Sequence, residues 1–240
     1  MFGFSLAAFQ ERSTTIVIVM AITGVACFNT LVYIGVYYTT SINASLMNSS
    51  TPIIIYILSF IFLKERLSKF QLIGTAISLS GVAFILSKGS LETLLSFSFN
   101  KGDLIVLIAV FCWGVYSLLV KQYAGRLPGY STFLVTISLG VIMLLPFTIY
   151  ELMTTSVDIV WSPSTIGAIL YVGIVASIIA FLSWNNGVVA LGANKASIYL
   201  NFIPLFAAIF AVLFLGEDLL LAQVIGGLAV ICGVLLASKK

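Results

Sequence analysis

The chain has 240 residues, of which 61% are hydrophobic and only 8% are charged, and its formal net charge is +3. A soluble domain carries about 25% charged residues, so this composition excludes a protein surrounded by water. The apolar runs are about 20 residues long and do not alternate with polar residues, which is typical of membrane-spanning helices. The sequence therefore predicts an all-α integral membrane protein in contact with a lipid bilayer. Its basic residues are scattered at helix ends, and no nucleic acid partner is predicted.

About eight apolar segments follow one another along the chain, each long enough to cross a bilayer. Residues 1–10 precede them and are apolar but too short to span. The connections are short, and the longest, residues 89–102, carries few charges. The predicted spans are 14–38, 44–63, 70–88, 103–121, 130–150, 165–190, 194–215 and 219–238.

Two stretches of the chain are copies of one pattern, related by a shift of 152 positions (44 to 196) without a gap. The turn inside the first copy is basic, at residues 64–66, whereas the matching turn at residues 216–218 is acidic. This change of charge predicts that the copies face opposite sides of a membrane, and inverted repeats are typical of secondary transporters. The matched pairs include Ala44/Ala196, Pro52/Pro204, Glu65/Glu217, Gln71/Gln223, Gly74/Gly226 and Gly81/Gly233.

The distribution of Lys and Arg predicts the orientation. With the C-terminus in the cytoplasm, nine basic residues lie on the cytoplasmic side and two on the other. This bias favours a multi-pass protein of the cell membrane with both termini cytoplasmic. The nine are Arg12, Lys64, Arg66, Lys69, Lys121, Arg126, Lys195, Lys239 and Lys240, and the two are Lys88 and Lys101.

The repeat also predicts how the chain divides. Two helices, 103–121 and 130–150, precede the second copy within its half, but residues 1–10 supply at most the end of one equivalent in the first half. We therefore expect eight helices of a five-plus-five plan that lacks its N-terminal pair. The predicted halves are residues 1–100, which are incomplete, and residues 101–240.

A set of short motifs recurs in order across residues 14–238. They are Gly102-Asp103-Leu104, Trp113-Gly114, Trp184-Asn185-Asn186-Gly187, Leu191-Gly192-Ala193, Lys195-Ala196-Ser197 and Leu215-Gly216-Glu217-Asp218, with Leu63-Lys64-Glu65-Arg66-Leu67 in the first copy. This set resembles the EamA-type transporters of the drug/metabolite transporter superfamily. The resemblance implies ten helices in two inverted halves and alternating access around a midplane cavity. It further implies a small metabolite as substrate, with export of amino acids or related solutes.

Two alternatives remain. One is an inactive fragment, or one that needs a partner, such as a second copy in a homodimer, to supply the missing helices. The other is an integral-membrane enzyme, but the sequence has no His and no metalloprotease, hydrolase or P-loop motif. We therefore predict that the protein is not an enzyme and has no metal site and no cofactor. Cys27, Cys112 and Cys232 lack metal-ligand spacing and are interpreted as small core residues.

Pro52 and Pro204 are predicted to break two membrane helices. A proline frees the carbonyl four residues earlier, and the polar residues 48–51 could satisfy that backbone or face a cavity. Asn201 occupies the matching place before the second proline. Broken helices at corresponding positions of two halves indicate a transporter binding site; a kink that only shapes packing is the alternative.

Aromatic and amide residues supply the other cavity candidates. Trp113 and Tyr116 share one helix face, where they either stack on a solute or fill a gap between helices. The shift of 152 positions places Tyr33 opposite Asn185. The full set of predicted cavity residues is Asn29, Tyr33, Asn48, Ser49, Trp113, Tyr116, Trp184, Asn185, Tyr199 and Asn201.

Polar residues at helix ends are given structural roles. Glu65 and Glu217 are interpreted as caps and orientation markers, and Asp103 as an N-cap. Lys121 is expected to extend to the membrane interface, or to attract an anionic group to a cavity mouth. The glycine pairs of the repeat are interpreted as stripes where helices pack closely.

Overall fold

The computed structural model describes residues 11–96, 98–154, 161–216 and 218–239, with the side chains of 11–13 and of residue 215 excepted. In that part of the chain, eight helices are long and apolar enough to cross a membrane, which confirms the predicted all-α membrane fold. Residues 1–10 and Glu217, for which a helix end and a cap are predicted, lie outside it. The helices are α1 (Thr14–Tyr38), α2 (Ser41–Leu63), α3 (Lys69–Leu86), α4 (Lys101–Tyr123), α5 (Gly129–Thr154), α6 (Pro163–Leu191), α7 (Ala193–Phe214) and α8 (Leu221–Ser238).

The repeated Gln starts the last helix of each copy in the same way. The side chain of Gln71 accepts a hydrogen bond from the backbone N–H of Ser68 at 2.9 Å, and that of Gln223 accepts one from Leu220 at 3.0 Å. Each bond satisfies a backbone donor that the first turn of a helix leaves free. The match between the two glutamines therefore has a local structural cause.

The repeat extends to the helices that precede the two copies. A π-helical segment interrupts α1 at Ala21–Cys27, and another interrupts α6 at Tyr171–Ile179. The shift of 152 positions superposes residue 27 on residue 179, so both segments end at the same place. Segments of this kind are rare and occur frequently at functional sites.

The two helices that carry the repeated Pro52 and Pro204 are both interrupted. Helix α2 breaks at Ser50, and α7 passes through a 3₁₀ turn at Tyr199–Asn201. The hydroxyl of Thr51 donates to the carbonyl of Asn48, which is the carbonyl that Pro52 leaves without a helical donor. Thr51 thus satisfies the carbonyl that Pro52 leaves free, which is one of the two roles that the sequence left open for the polar residues before Pro52.

Helices α3 and α8 cross in antiparallel directions with their backbones in direct contact. A Cβ atom at Gly74 would lie 2.5 Å from the carbonyl oxygen of Gly233, and one at Gly81 would lie 2.6 Å from that of Gly226. In the repeat, Gly226 is the copy of Gly74 and Gly233 is the copy of Gly81. Gly74 thus contacts the copy of Gly81, and Gly81 contacts the copy of Gly74. This reciprocal contact is the one that an inverted repeat produces, and it agrees with the interpretation of the glycines as packing residues.

Candidate functional site

An aromatic cluster surrounds Trp113 in the middle of α4. Its ring centroid lies 4.6 Å from that of Phe28, 5.0 Å from that of Phe181, and 5.4 Å from those of Tyr116 and Trp184. These separations are those of favourable aromatic pairs. The cluster joins α1 of the predicted first half to α4 and α6 of the second.

Hydrogen bonds fix the polar tips of these rings. The Tyr116 hydroxyl donates to Oδ1 of Asn185 at 2.8 Å, and Nε1 of Trp184 donates to Oγ of Ser117 at 3.2 Å. Ser117 in turn donates to the carbonyl of Trp113 at 2.8 Å. Polar groups in an apolar bundle need such partners, so the rings are held in one arrangement.

A chamber of about 430 Å³ lies against this cluster, between α1, α4, α6 and α7. Pockets for small molecules have volumes of about 300–1,000 Å³, so the chamber can accept a small organic solute. Its lining contains two tryptophans and an asparagine, but no charged side chain among the described residues. The predicted cavity residues in its wall are Asn29, Trp113, Trp184 and Tyr199.

Two further cavities lie between the helices. One of about 330 Å³, between α4, α5 and α6, is bordered by Asn185 and Asn186. The other, of about 290 Å³, lies where the broken helices α2 and α7 meet, and Asn48, Ser49 and Pro204 border it. Seven of the ten sequence-predicted cavity residues are therefore distributed over the three cavities.

Three predicted cavity residues line none of the three cavities in this structure. Tyr33 is 70% exposed and borders none of the three cavities. Asn201 is fully buried, and its Nδ2 donates to Oγ of Ser78 at 3.0 Å, between α7 and α3. Tyr116 is also fully buried and supports the chamber wall through its ring. Contact of these residues with a solute stays a prediction.

Sequence reasoning missed the residues that complete the cluster. Phe28 and Phe181 lie in long apolar runs. In such a run, the sequence does not distinguish a phenylalanine that faces the cluster from one that faces lipid. Gly24 was also missed, although a Cβ atom at this position would collide with the ring of Tyr116. A glycine inside the first apolar run was the one available signal.

Three interpretations of helix ends are corrected. The N-cap of α4 is Asn100, and Asp103 is the third residue of its capping box. Glu65 follows α2 and caps no helix, because α3 begins at the cap residue Ser68. Lys121 does not extend freely to the interface, since its amine forms an ion pair with Glu65.

The profile of the EamA-like transporter family matches residues 2–87 and 100–239 of this sequence. The chain belongs to the EamA-like transporter family. This confirms the resemblance that the motifs indicated. Membership implies a small-molecule substrate and a lipid bilayer as surroundings, and it agrees with the absence of an enzymatic motif.

Several relatives of this EamA-like protein are named as transporters. The chain is 34% identical to "Uncharacterized transporter YyaM" of Bacillus subtilis (strain 168), over 92% of this chain and 72% of that protein. It is 29% identical to an "Uncharacterized transporter" of Archaeoglobus fulgidus, over 92% of this chain and 75% of that protein. It is 25% identical to a "Probable terminal-alkyne amino-acid exporter" of Streptantibioticus cattleyicolor, over 96% of this chain and 75% of that protein.

A solved crystal structure shares the fold of this EamA-like protein. The TM-score is 0.76 at 19% sequence identity, and the similarity covers 96% of this chain and 77% of the other. At this level of identity the likeness supports the arrangement of helices alone.

The bond between Tyr116 and Asn185 provides a test of how the wall of the chamber is held. We expect Tyr116→Phe to lower stability by about 0.6–1.5 kcal/mol, the range for a hydrogen bond between membrane helices, because the amide of Asn185 loses its donor. Thermal unfolding in detergent measures this change. Tyr150→Phe is the control, since that ring is exposed at the far end of α5. Equal stability of the two variants would contradict a structural role for the bond.

Proposed function

We propose that this chain is a secondary transporter that exports small, amino-acid-like organic solutes by alternating access. The observation that carries this proposal is the aromatic chamber, which lies between α1 of the predicted first half and α4, α6 and α7 of the second. Inverted repeats that move against each other around such a midplane site give alternating access. The proposed halves are residues 1–100 and 101–240.

The lining of the chamber supports a neutral or zwitterionic solute. Trp113 and Trp184 offer ring faces for an apolar or flat side chain, and the amide of Asn29 lies beside them. A solute with net charge would lose its water in this chamber without meeting an opposite charge, which is costly in a low-dielectric site. A zwitterion balances its own charges, and a neutral solute avoids the cost.

Two observations support the direction of transport and the orientation. The excess of basic residues favours both termini in the cytoplasm of the cell. The relative from Streptantibioticus cattleyicolor carries a name that includes amino-acid export, and we extend this activity to the present chain. The exported solute would then enter the chamber from the side of the termini.

A proteoliposome assay tests the proposal. The purified chain is reconstituted, and the vesicles are loaded with radiolabelled neutral amino acids, with glutamate or with an organic cation. We expect saturable efflux of the neutral amino acids, and strongest exchange for those with large apolar or aromatic side chains. Efflux no faster than from protein-free vesicles for every solute would contradict transport, and preference for glutamate or the cation would contradict the proposed solute class.

A further inference from the structure

Two polar networks lie at opposite ends of α4. Asp103 belongs to one and Lys121 to the other, and they are separated by about 27 Å along the helix axis. This separation is close to the thickness of the hydrocarbon core of a bilayer, which is about 30 Å. Each network joins α4 to helices of the predicted first half, so both cross the boundary between the repeats.

The network around Lys121 is an ion pair with a third partner. One carboxylate oxygen of Glu65 accepts from the Lys121 amine, and the other accepts from Nδ2 of Asn194 at 3.0 Å. The three residues stand at the end of α2, the end of α4 and the start of α7. The charged side chains are 25% and 33% exposed, so water reaches the pair. We call Glu65, Lys121 and Asn194 the terminal lock.

The terminal lock lies next to the wall of the chamber. Leu191 and Ala196 border the chamber, and Gly192 and Asn194 lie between them in the chain. Ala196 is 4% exposed and is two residues from Asn194. Gly192 leaves room for the lock, since a Cβ atom there would lie 3.3 Å from the Lys121 amine. Lys195 donates to the carbonyl of Ser238 at 3.2 Å, so this end of the bundle is the one where the chain terminates.

The network around Asp103 is of a different kind. Its carboxylate is fully buried and accepts from the hydroxyl of Thr39, from Nδ2 of Asn43 at 3.2 Å and from the backbone N–H of Asn100 at 2.8 Å. Close backbone packing accompanies it, because a Cβ atom at Gly102 would lie 2.6 Å from the carbonyl oxygen of Gly35. We call these six residues the buried joint.

The two networks differ in how easily they separate. A partly exposed ion pair contributes little net stability, because water solvates both charges once the pair opens. Opening the buried joint would break three hydrogen bonds to a fully buried carboxylate, and it would separate two backbones in contact. The free energy needed to separate the helices is therefore lower at the terminal lock than at the buried joint.

We propose that Glu65, Lys121 and Asn194 form a lock that closes the chamber toward the chain termini, and that the repeats open this end by turning about the buried joint. This inference rests on the proposed function, since it assigns the residues that open and close one side of the transport pathway. Release of the pair separates the ends of α2 and α4 and uncovers Ala196. The joint keeps the opposite ends of α1 and α4 together.

Thiol accessibility tests the lock without the need for a known solute. In the full chain with Cys27, Cys112 and Cys232 replaced by alanine, Ala196→Cys serves as the reporter, and a membrane-impermeant maleimide is applied to the face that carries the termini. We expect Glu65→Gln and Lys121→Met each to raise the labelling rate about two- to fivefold, as loss of a weak ion pair implies. The double exchange E65K/K121E should return the rate to that of the parent. Asn194 can support the exchanged pair, because its Oδ1 has no partner and can accept from a lysine.

Two controls separate opening from general loosening. Glu92→Gln removes an exposed acid from the short helix Leu91–Leu95 and should leave labelling unchanged. A second reporter, Val106→Cys, is buried beside the joint and should label no faster in the lock variants. Faster labelling at both reporters, unchanged labelling in the lock variants, or a double exchange without recovery would each overturn the lock. Altered labelling without any solute efflux would support the lock and refute the proposed transport function. Solute efflux with unchanged labelling would support the transport function and refute the lock.

Discussion

Leucine at Gly74 is expected to prevent α3 from packing on α8 and to abolish the folded protein. A Cβ atom there would lie 2.5 Å from the backbone nitrogen of Ala237 and equally close to the carbonyl oxygen of Gly233. Backbone atoms cannot rotate away as a flexible side chain can, so the helices must separate. Even Gly74→Ala should cost about 1–3 kcal/mol, the range for overpacking a well-filled interior.

The amount of monodisperse protein after heating in detergent measures this loss. Gly167→Ala is the matched control, because a Cβ atom at that position in α6 meets nothing within 4 Å. Gly233→Ala should be as damaging as Gly74→Ala, since the crossing is reciprocal. Normal yield and heat resistance for Gly74→Leu would show that α3 and α8 do not cross at these glycines.

Alanine at Trp113 is expected to remove most of the solute binding. The ring of Trp113 contacts four other aromatic rings and borders the chamber, so its loss opens the lining and frees its neighbours to move. We expect the half-saturating solute concentration in the efflux assay to rise about tenfold or more, as for other buried Trp anchors. The free energy of unfolding should also fall by about 3 kcal/mol or more.

Two variants separate the binding effect from the stability effect. Trp113→Phe keeps an apolar ring in the cluster and should retain most of the stability while it weakens solute binding. Trp161→Ala, two residues before α6, removes a ring that is 68% exposed and should change neither quantity. Unaltered half-saturation in both Trp113 variants, with efflux intact, would place the solute elsewhere.

The sequence by itself predicted most of the fold. Long apolar runs with few charges leave helical spans as the solution in which every backbone group is bonded within the bilayer, and the predicted segments agree with the eight helices to within a few residues. The interruptions of α2 and α7 lie just before the matched Pro52 and Pro204, where each proline removes a backbone donor. The repeated glycines predicted close packing for a similar reason, since only a small residue permits backbone contact.

The tertiary structure alone decided which side chains meet. In a bilayer, the face of a helix toward lipid and the face toward an aromatic chamber are both apolar, so Phe28 and Phe181 carry no periodic signal that separates them from lipid-facing residues. The ion pair of Glu65 with Lys121 joins helix ends that are far apart in the chain, and its formation depends on how α2 and α4 pack. Asp103 is an ordinary helix-start residue in sequence, and it becomes a buried joint because Gly35 and Gly102 bring α1 against α4. Local pattern determined the elements of this protein, whereas close packing between distant segments determined its chamber, its lock and its joint.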